Sequence, residues 1–119
     1  MRITVTVPKN VNEENARKIG ARSDEQVGIN ALLYVKRGMA TEFGGYTAHT
    51  ADGGWVDNDG KLVEESVYIV ESYVPDTVTP QVASSIAGAM AINVMYSMVQ
   101  DAAMYTIDNE AHFVSTEWG

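Results

Sequence analysis

Residues 43–75 read FGGYTAHTADGGWVDNDGKLVEESVYIVESYVP. Gly44-Gly45 supplies the left-handed residue that closes a preceding helix, and Tyr46 to Thr50 is rich in strand formers. A strand therefore follows a helix. Ala51-Asp52-Gly53-Gly54 reads as a turn, Trp55-Val56 as a short apolar pair, and Asp57-Asn58-Asp59-Gly60 as a second turn of the kind that joins antiparallel strands. From Leu62 to Val74 the chain is one long strand, with Val67, Ile69 and Tyr73 on one face and Tyr68, Val70 and Val74 on the other. Both faces are partly apolar. In a sheet that helices cover on one side only, the second apolar face needs a partner, a subunit or a ligand.

Working outward toward the N-terminus, Ser23-Asp24-Glu25-Gln26 has capping-box spacing, and Val27, Ala31, Leu32, Val35, Met39 and Phe43 recur at helical intervals. This predicts a helix over 24–43. Gly28 and Gly38 are expected to weaken it by roughly 1 kcal/mol each relative to Ala. Before it, a polar connection can hold one short helix over Glu13–Ile19, stopped by Gly20. The chain begins with a half-buried strand, with Ile3, Val5 and Val7 on one face and Arg2, Thr4 and Thr6 on the other, ended by Pro8.

Toward the C-terminus, Thr79 and Pro80 mark a helix entry, as N-cap and first helical residue. The twenty residues that follow carry no charge. Ser84, Ser85, Gly88, Asn93 and Ser97 make the segment only mildly apolar and no Lys or Arg flanks it, so a buried helix over 80–100 is expected rather than a membrane span. Two stripes, one through Val82, Ile86, Met90, Val94 and Met98 and one through Ala83, Ala87, Ala91 and Met95, predict cover on two sides. One side is assigned to the sheet. The other is assigned to a second copy, approaching at Ser84, Gly88 and Ala91 in a homo-oligomer. Residues 103–107 and 111–115 read as a short closing strand that turns back on itself. The order β-α-β-β-α-β is that of the split βαβ, ferredoxin-like unit, an α+β antiparallel sheet with two helices on one face, and 119 residues make a single domain.

Composition narrows the functions. There is no cysteine, which excludes disulfides, thiolate zinc sites and cysteine nucleophiles, and without a secretory signal a reducing cytoplasm is expected. The net charge is −8, yet all eight Lys and Arg lie at or before Lys61, so the second half carries only acids. Such a chain repels phosphate backbones, so nucleic acid is not the expected partner.

Motifs for catalysis are scarce. His49 and His112 show no metal-ligand spacing, so no metal or other cofactor is expected. Neither histidine has the hydroxyl residue two positions later that two-histidine phosphoesterases carry, and the glycine pairs lack the Lys-Ser or Lys-Thr of a phosphate loop. Glu65 and Glu71 share a face with Val67, Ile69 and Tyr73. A carboxylate among apolar neighbours has its pKa raised, although a solvated strand face explains the same pattern. Tyr46, Trp55, Tyr68 and Tyr73 gather around the hairpin and are of the type that stacks on a planar ligand, or that packs a core or an interface.

The pattern Phe43-Gly44-Gly45, Thr47, Gly54-Trp55, Gly60, Glu64 or Glu65, then Val67-Tyr68-Ile69-Val70-Glu71 resembles a set of small bacterial and phage proteins sharing an FGG, T, GxW, G, E, long-strand arrangement. The resemblance covers residues 39–73. It implies a ferredoxin-like fold and a phage or mobile-element setting, and brings no catalytic residues with it. Two readings follow. In the first, a non-catalytic phage protein captures a host protein or a small nucleotide-like ligand through Tyr46, His49, Trp55, Tyr68, Glu71 and Tyr73, and so modulates a host system. In the second, a small metal-free enzyme uses Glu71 or His49 as general base in a sheet-face pocket. An acidic nucleic-acid mimic ranks below both.

Overall fold

The computed structural model describes residues 1–116. Eight elements follow in order: β1 (Arg2–Pro8), α1 (Glu13–Ile19), α2 (Glu25–Phe43), β2 (Thr47–Val56), β3 (Leu62–Tyr73), α3 (Pro80–Ser97), β4 (Ala102–Ile107) and β5 (Glu110–Ser115). The five strands form one antiparallel sheet in the order β2-β3-β1-β4-β5. The fold is α+β, with three helices and five strands. The short helix read over Glu13–Ile19 with its Gly20 stop is α1, which joins the two helices of the expected unit, and the closing strand doubles back through Asp108 and Asn109, both at positive φ, to give the fifth strand.

Alternation in β1 sets the layers. Ile3, Val5 and Val7 are fully buried and join Val70 of β3, Val35, Met39 and Phe43 of α2, and Ala83, Ala87, Met90, Val94 and Met98 around α3 in one core. The other face of the sheet carries no helix from these elements.

The helix ends follow the sequence closely. Asp24, one residue later than the expected Ser23, caps α2 by accepting from the Gln26 amide at 3.0 Å, because α2 starts at Glu25. Gly44 closes it at φ 92°. Thr79 caps α3 as read, with Pro80 in the first turn. The helix stops at Ser97, short of Gln100, and Val99 lies at φ 53°. That conformation is costly for a β-branched residue. α1 supports it: the Asn15 side-chain amide donates to the Val99 carbonyl at 2.8 Å, and the Asn12 amide donates to the Met98 carbonyl at 3.1 Å.

Two readings are corrected. Ala51-Asp52-Gly53-Gly54 is not a turn but part of β2, which runs unbroken from Thr47 to Val56 and pairs residue by residue with β3. Neither Gly53 nor Gly54 has a positive φ, and at Gly54 a β-carbon would sit 3.1 Å from the Val63 carbonyl oxygen. Glycine is there for close backbone approach. The turn is made by Asp57 to Gly60 alone, where the Asp57 carboxylate accepts from the amides of Asp59 and Lys61 and Gly60 takes φ 78°. The second correction concerns α3. Ala91 is fully buried against Met95 and Ala103, and Gly88 faces the Tyr105 hydroxyl of β4, so those small residues serve the sheet, not a second copy.

Candidate functional site

Strand register decides which side chains share the uncovered face. β3 pairs with β2 through Thr47↔Glu71, His49↔Ile69, Ala51↔Val67, Gly53↔Glu65 and Trp55↔Val63, and with β1 through Thr4↔Glu71, Thr6↔Ile69 and Pro8↔Val67. Because Ile3, Val5 and Val7 point into the helical core, these partners point away from it. Thr106, opposite Thr4, and Met104 and Phe113, opposite each other, continue the same face across β4 and β5. Both faces of β3 are thus used. Val67 is buried and Ile69 half-buried with no helix above them.

What shelters them is the shape of the sheet. Beyond Val67 and Pro8 the ladder to β1 ends with one bond from the Lys9 amide to the Ser66 carbonyl at 3.1 Å, so residues 52–56 and 62–65 form a two-stranded arm. The arm brings Asp52, Gly53, Gly54, Trp55 and Glu65 to one wall of a groove of about 400 Å³. Thr6, Pro8, Val67 and Ile69 lie along its floor, and Ala102, Met104 and Phe113 line the far side. Trp55 is half exposed and Phe113 is 68% exposed, which presents two aromatic surfaces to one space. In that groove, burial pushes the pKa of the Glu65 carboxyl up.

The opposite end of the same face is polar. The Arg2 guanidinium bonds the Glu71 carboxylate and also donates to Asn109 at 2.9 Å, while the Arg2 amide donates to Asp108 at 2.8 Å. The bond from Arg2 holds Glu71 below the usual glutamate value, Tyr73 adds a hydrogen bond, and His49 adds a favourable charge interaction. Thr4 and Thr106 join hydroxyls at 2.5 Å between the two ends. The face is therefore bipartite. An ionised, anchored carboxylate lies at one end and a desolvated one among aromatics at the other.

The six residues expected to bind a ligand are divided by this geometry. His49, Trp55, Glu71 and Tyr73 share the uncovered face, but Trp55 stands eight residues along β2 from Thr47, about 26 Å away. Tyr46, Glu71 and Tyr73 line a small cleft of about 280 Å³ at the polar end, and Lys36 stands over the Tyr46 ring. Tyr68 points to the other side, packed against the core with Lys9 over its ring. His112 also lies on the helical side, stacked on Tyr105 at 5.1 Å, so the two histidines cannot share a ligand. Among the described residues no group of three or more His, Asp or Glu is placed to hold a metal, and no helix is long and apolar enough to cross a membrane.

Phe113, Met104 and Thr6 join the site only through the fold. Their signal was present only as alternation in strands whose pairing order the sequence does not state.

No protein-family model matches the chain, and no curated protein does. Solved structures do. A phage SAM lyase in complex with S-methyl-5'-thioadenosine superposes with a TM-score of 0.67 at 14% identity, covering 99% of this chain and 91% of that one. The apo state of a phage SAM lyase gives 0.65 at 14% identity, covering 99% and 90%. At that identity the likeness is one of fold.

Proposed function

We propose that this chain is a phage protein that binds a small adenosyl ligand, S-adenosylmethionine (SAM) or its thioether S-methyl-5'-thioadenosine, in the groove between Trp55 and Phe113. The observation that carries the reading is Glu65, a desolvated carboxylate beside two exposed aromatic rings, on the uncovered face of a sheet whose structural neighbour holds that thioether. The rings suit stacking on a purine, and the floor of Val67, Ile69 and Met104 suits the uncharged thioether. Glu65 suits a positive charge, which the sulfonium of SAM has and the thioether lacks. At about 400 Å³ the groove is of the size that takes a nucleoside. In the same reading the fold is ferredoxin-like: the order β2-β3-β1-β4, with α2 and α3 packed on one face, supports it, and β5 is an addition at the edge. The site of action would be the host cytoplasm.

A second reading, lyase activity, is favoured by the opposite states of the two carboxylates. Glu71, held ionised by Arg2 at the far end of the face, is a poor proton acceptor, whereas Glu65 in the groove is the better general base. This moves the base from the expected Glu71 or His49 to Glu65. The experiment is titration calorimetry with S-methyl-5'-thioadenosine and with SAM, together with mass-spectrometric detection of thioether released from SAM. Trp55→Ala is expected to weaken both ligands about ten-fold. Glu65→Gln is expected to spare the thioether and weaken SAM. Absence of binding by either ligand, with folding intact, would end the proposal; binding without release would leave a capture protein.

A further inference from the structure

β2 carries two adjacent glycines, and the fold explains only one of them. At Gly54 a β-carbon would press on the Val63 carbonyl oxygen at 3.1 Å. At Gly53 it would meet nothing nearer than the Val67 Cγ1 atom at 4.0 Å, an ordinary contact, and the φ of Gly53 is not positive, so neither space nor backbone requires glycine there. A glycine inside a strand weakens it and marks a place where something approaches closely. β2 is an outermost strand of the sheet, and Gly53 lies on the two-stranded arm, where pairing has least support. The fold is weakened by this residue and gains nothing from it.

What gains is the groove. The β-carbon that Gly53 lacks would face Val67 on the groove floor, and the register sets Gly53 directly opposite Glu65, where paired β-carbons stand about 5 Å apart. Ala51, next on this face, is also small and lies opposite Val67, whereas Trp55, next in the other direction, is the large aromatic of the wall. A slot therefore lies beside the Glu65 carboxyl, two residues or about 7 Å along the strand from Trp55. We infer that this slot takes the amino-acid chain that SAM bears on its sulfur and S-methyl-5'-thioadenosine lacks, so that Gly53 decides which of the two the groove admits; this holds on the reading that the groove takes an adenosyl ligand. With the purine against Trp55 and the sulfonium against Glu65, the ribose spans the step between them, and the third substituent on sulfur leaves beside Glu65. Directly across from Glu65 stands a residue with no side chain to block it.

The test is calorimetry with both ligands on Gly53→Ala and Gly53→Val, together with the melting temperature of each variant. Both are expected to melt about 2–4 °C above the parent, since a strand glycine is replaced where its backbone and surroundings allow. Gly53→Val is expected to weaken SAM about ten-fold or more and the thioether less than about three-fold, with Gly53→Ala falling between it and the parent. Undiminished SAM binding by Gly53→Val, or equal loss of both ligands, would overturn the inference and leave the adenosyl reading standing. A lower melting temperature for Gly53→Ala would overturn it whatever binds, because the glycine would then serve the fold. A parent that binds neither ligand would end the adenosyl reading, and the inference with it.

Discussion

Gly28 shows how a single residue can reverse a propensity argument. By helix propensity alone, Gly28→Ala should stabilise α2 by about 1 kcal/mol. In the fold, a β-carbon at Gly28 would stand 2.6 Å from the backbone carbonyl oxygen of Lys9, whose amide is itself bonded to Ser66. Backbone cannot swing aside as a side chain can, so Gly28→Ala is expected to destabilise by about 2 kcal/mol in urea unfolding. Gly38 differs. Its close neighbour is the mobile end of Met90, which can give way. Glu65 makes the complementary case in electrostatics. Its pKa is raised in the fold, so its neutral form is favoured there, and the relative stability this confers is full below the unfolded value and lost as pH rises through the folded one. Glu65→Gln should therefore raise the melting temperature at pH 7, with the gain vanishing below about pH 4. The raised pKa was foreseeable from a carboxylate placed among Val67 and Ile69 on one strand face. The contact with Lys9 was not, since it joins residues whose approach depends on how α2 lies across the end of β1.

At the level of elements, caps and turns were readable because each is made by residues adjacent in sequence. Thr79-Pro80, Gly44 and Asp57 to Gly60 act where their own neighbours already suggest. The misread element was β2, because a glycine pair that usually signals a turn lies here in extended chain against Glu64 and Glu65. α1 has the bounds read for it, Glu13–Ile19 stopped by Gly20, but its role does not show in the sequence. Its seven residues have little reason to be helical alone, and their role becomes visible only where Asn15 reaches the Val99 carbonyl and the Asp101 carboxylate, at 2.8 and 3.0 Å. Those bonds hold a valine in a left-handed conformation at the end of α3. Asn15→Ala leaves the Val99 carbonyl without that donor and is expected to cost about 1–2 kcal/mol, measured by chemical denaturation. Hydrogen exchange should locate the loosening at residues 98–101. If protection there is unchanged, the anchoring role is wrong.

Across the whole molecule, the two halves of the sequence do not occupy two halves of the structure. The second half of the sequence carries acids and no Lys or Arg, but β1, with Arg2, lies between β3 and β4 and carries a positive charge among its strands. What the sequence left undetermined was this order of strands, and with it the grouping of Phe113 and Trp55 on one groove. Arg2 helps to secure that order of strands. Its side chain bonds Glu71 of β3 and Asn109 in the β4–β5 turn, and its amide bonds Asp108, so one residue ties the two strands flanking β1. The pH dependence follows from the sign of the Glu71 shift. A carboxylate whose folded pKa is depressed contributes stability above its unfolded value, near 4.5, and loses it as pH falls through the folded one. The parent chain is therefore expected to lose melting temperature steadily below pH 4.5. Glu71→Gln, which keeps a hydrogen-bond acceptor for Arg2 but no charge, should start lower at pH 7 and decline less. The two profiles then converge in acid. Because the pair is partly exposed, 0.5 M salt should shrink the gap at pH 7. Parallel profiles that never converge would mean that Glu71 acts through packing alone, and that the polar end of the sheet is held by the Asp108 and Asn109 contacts instead.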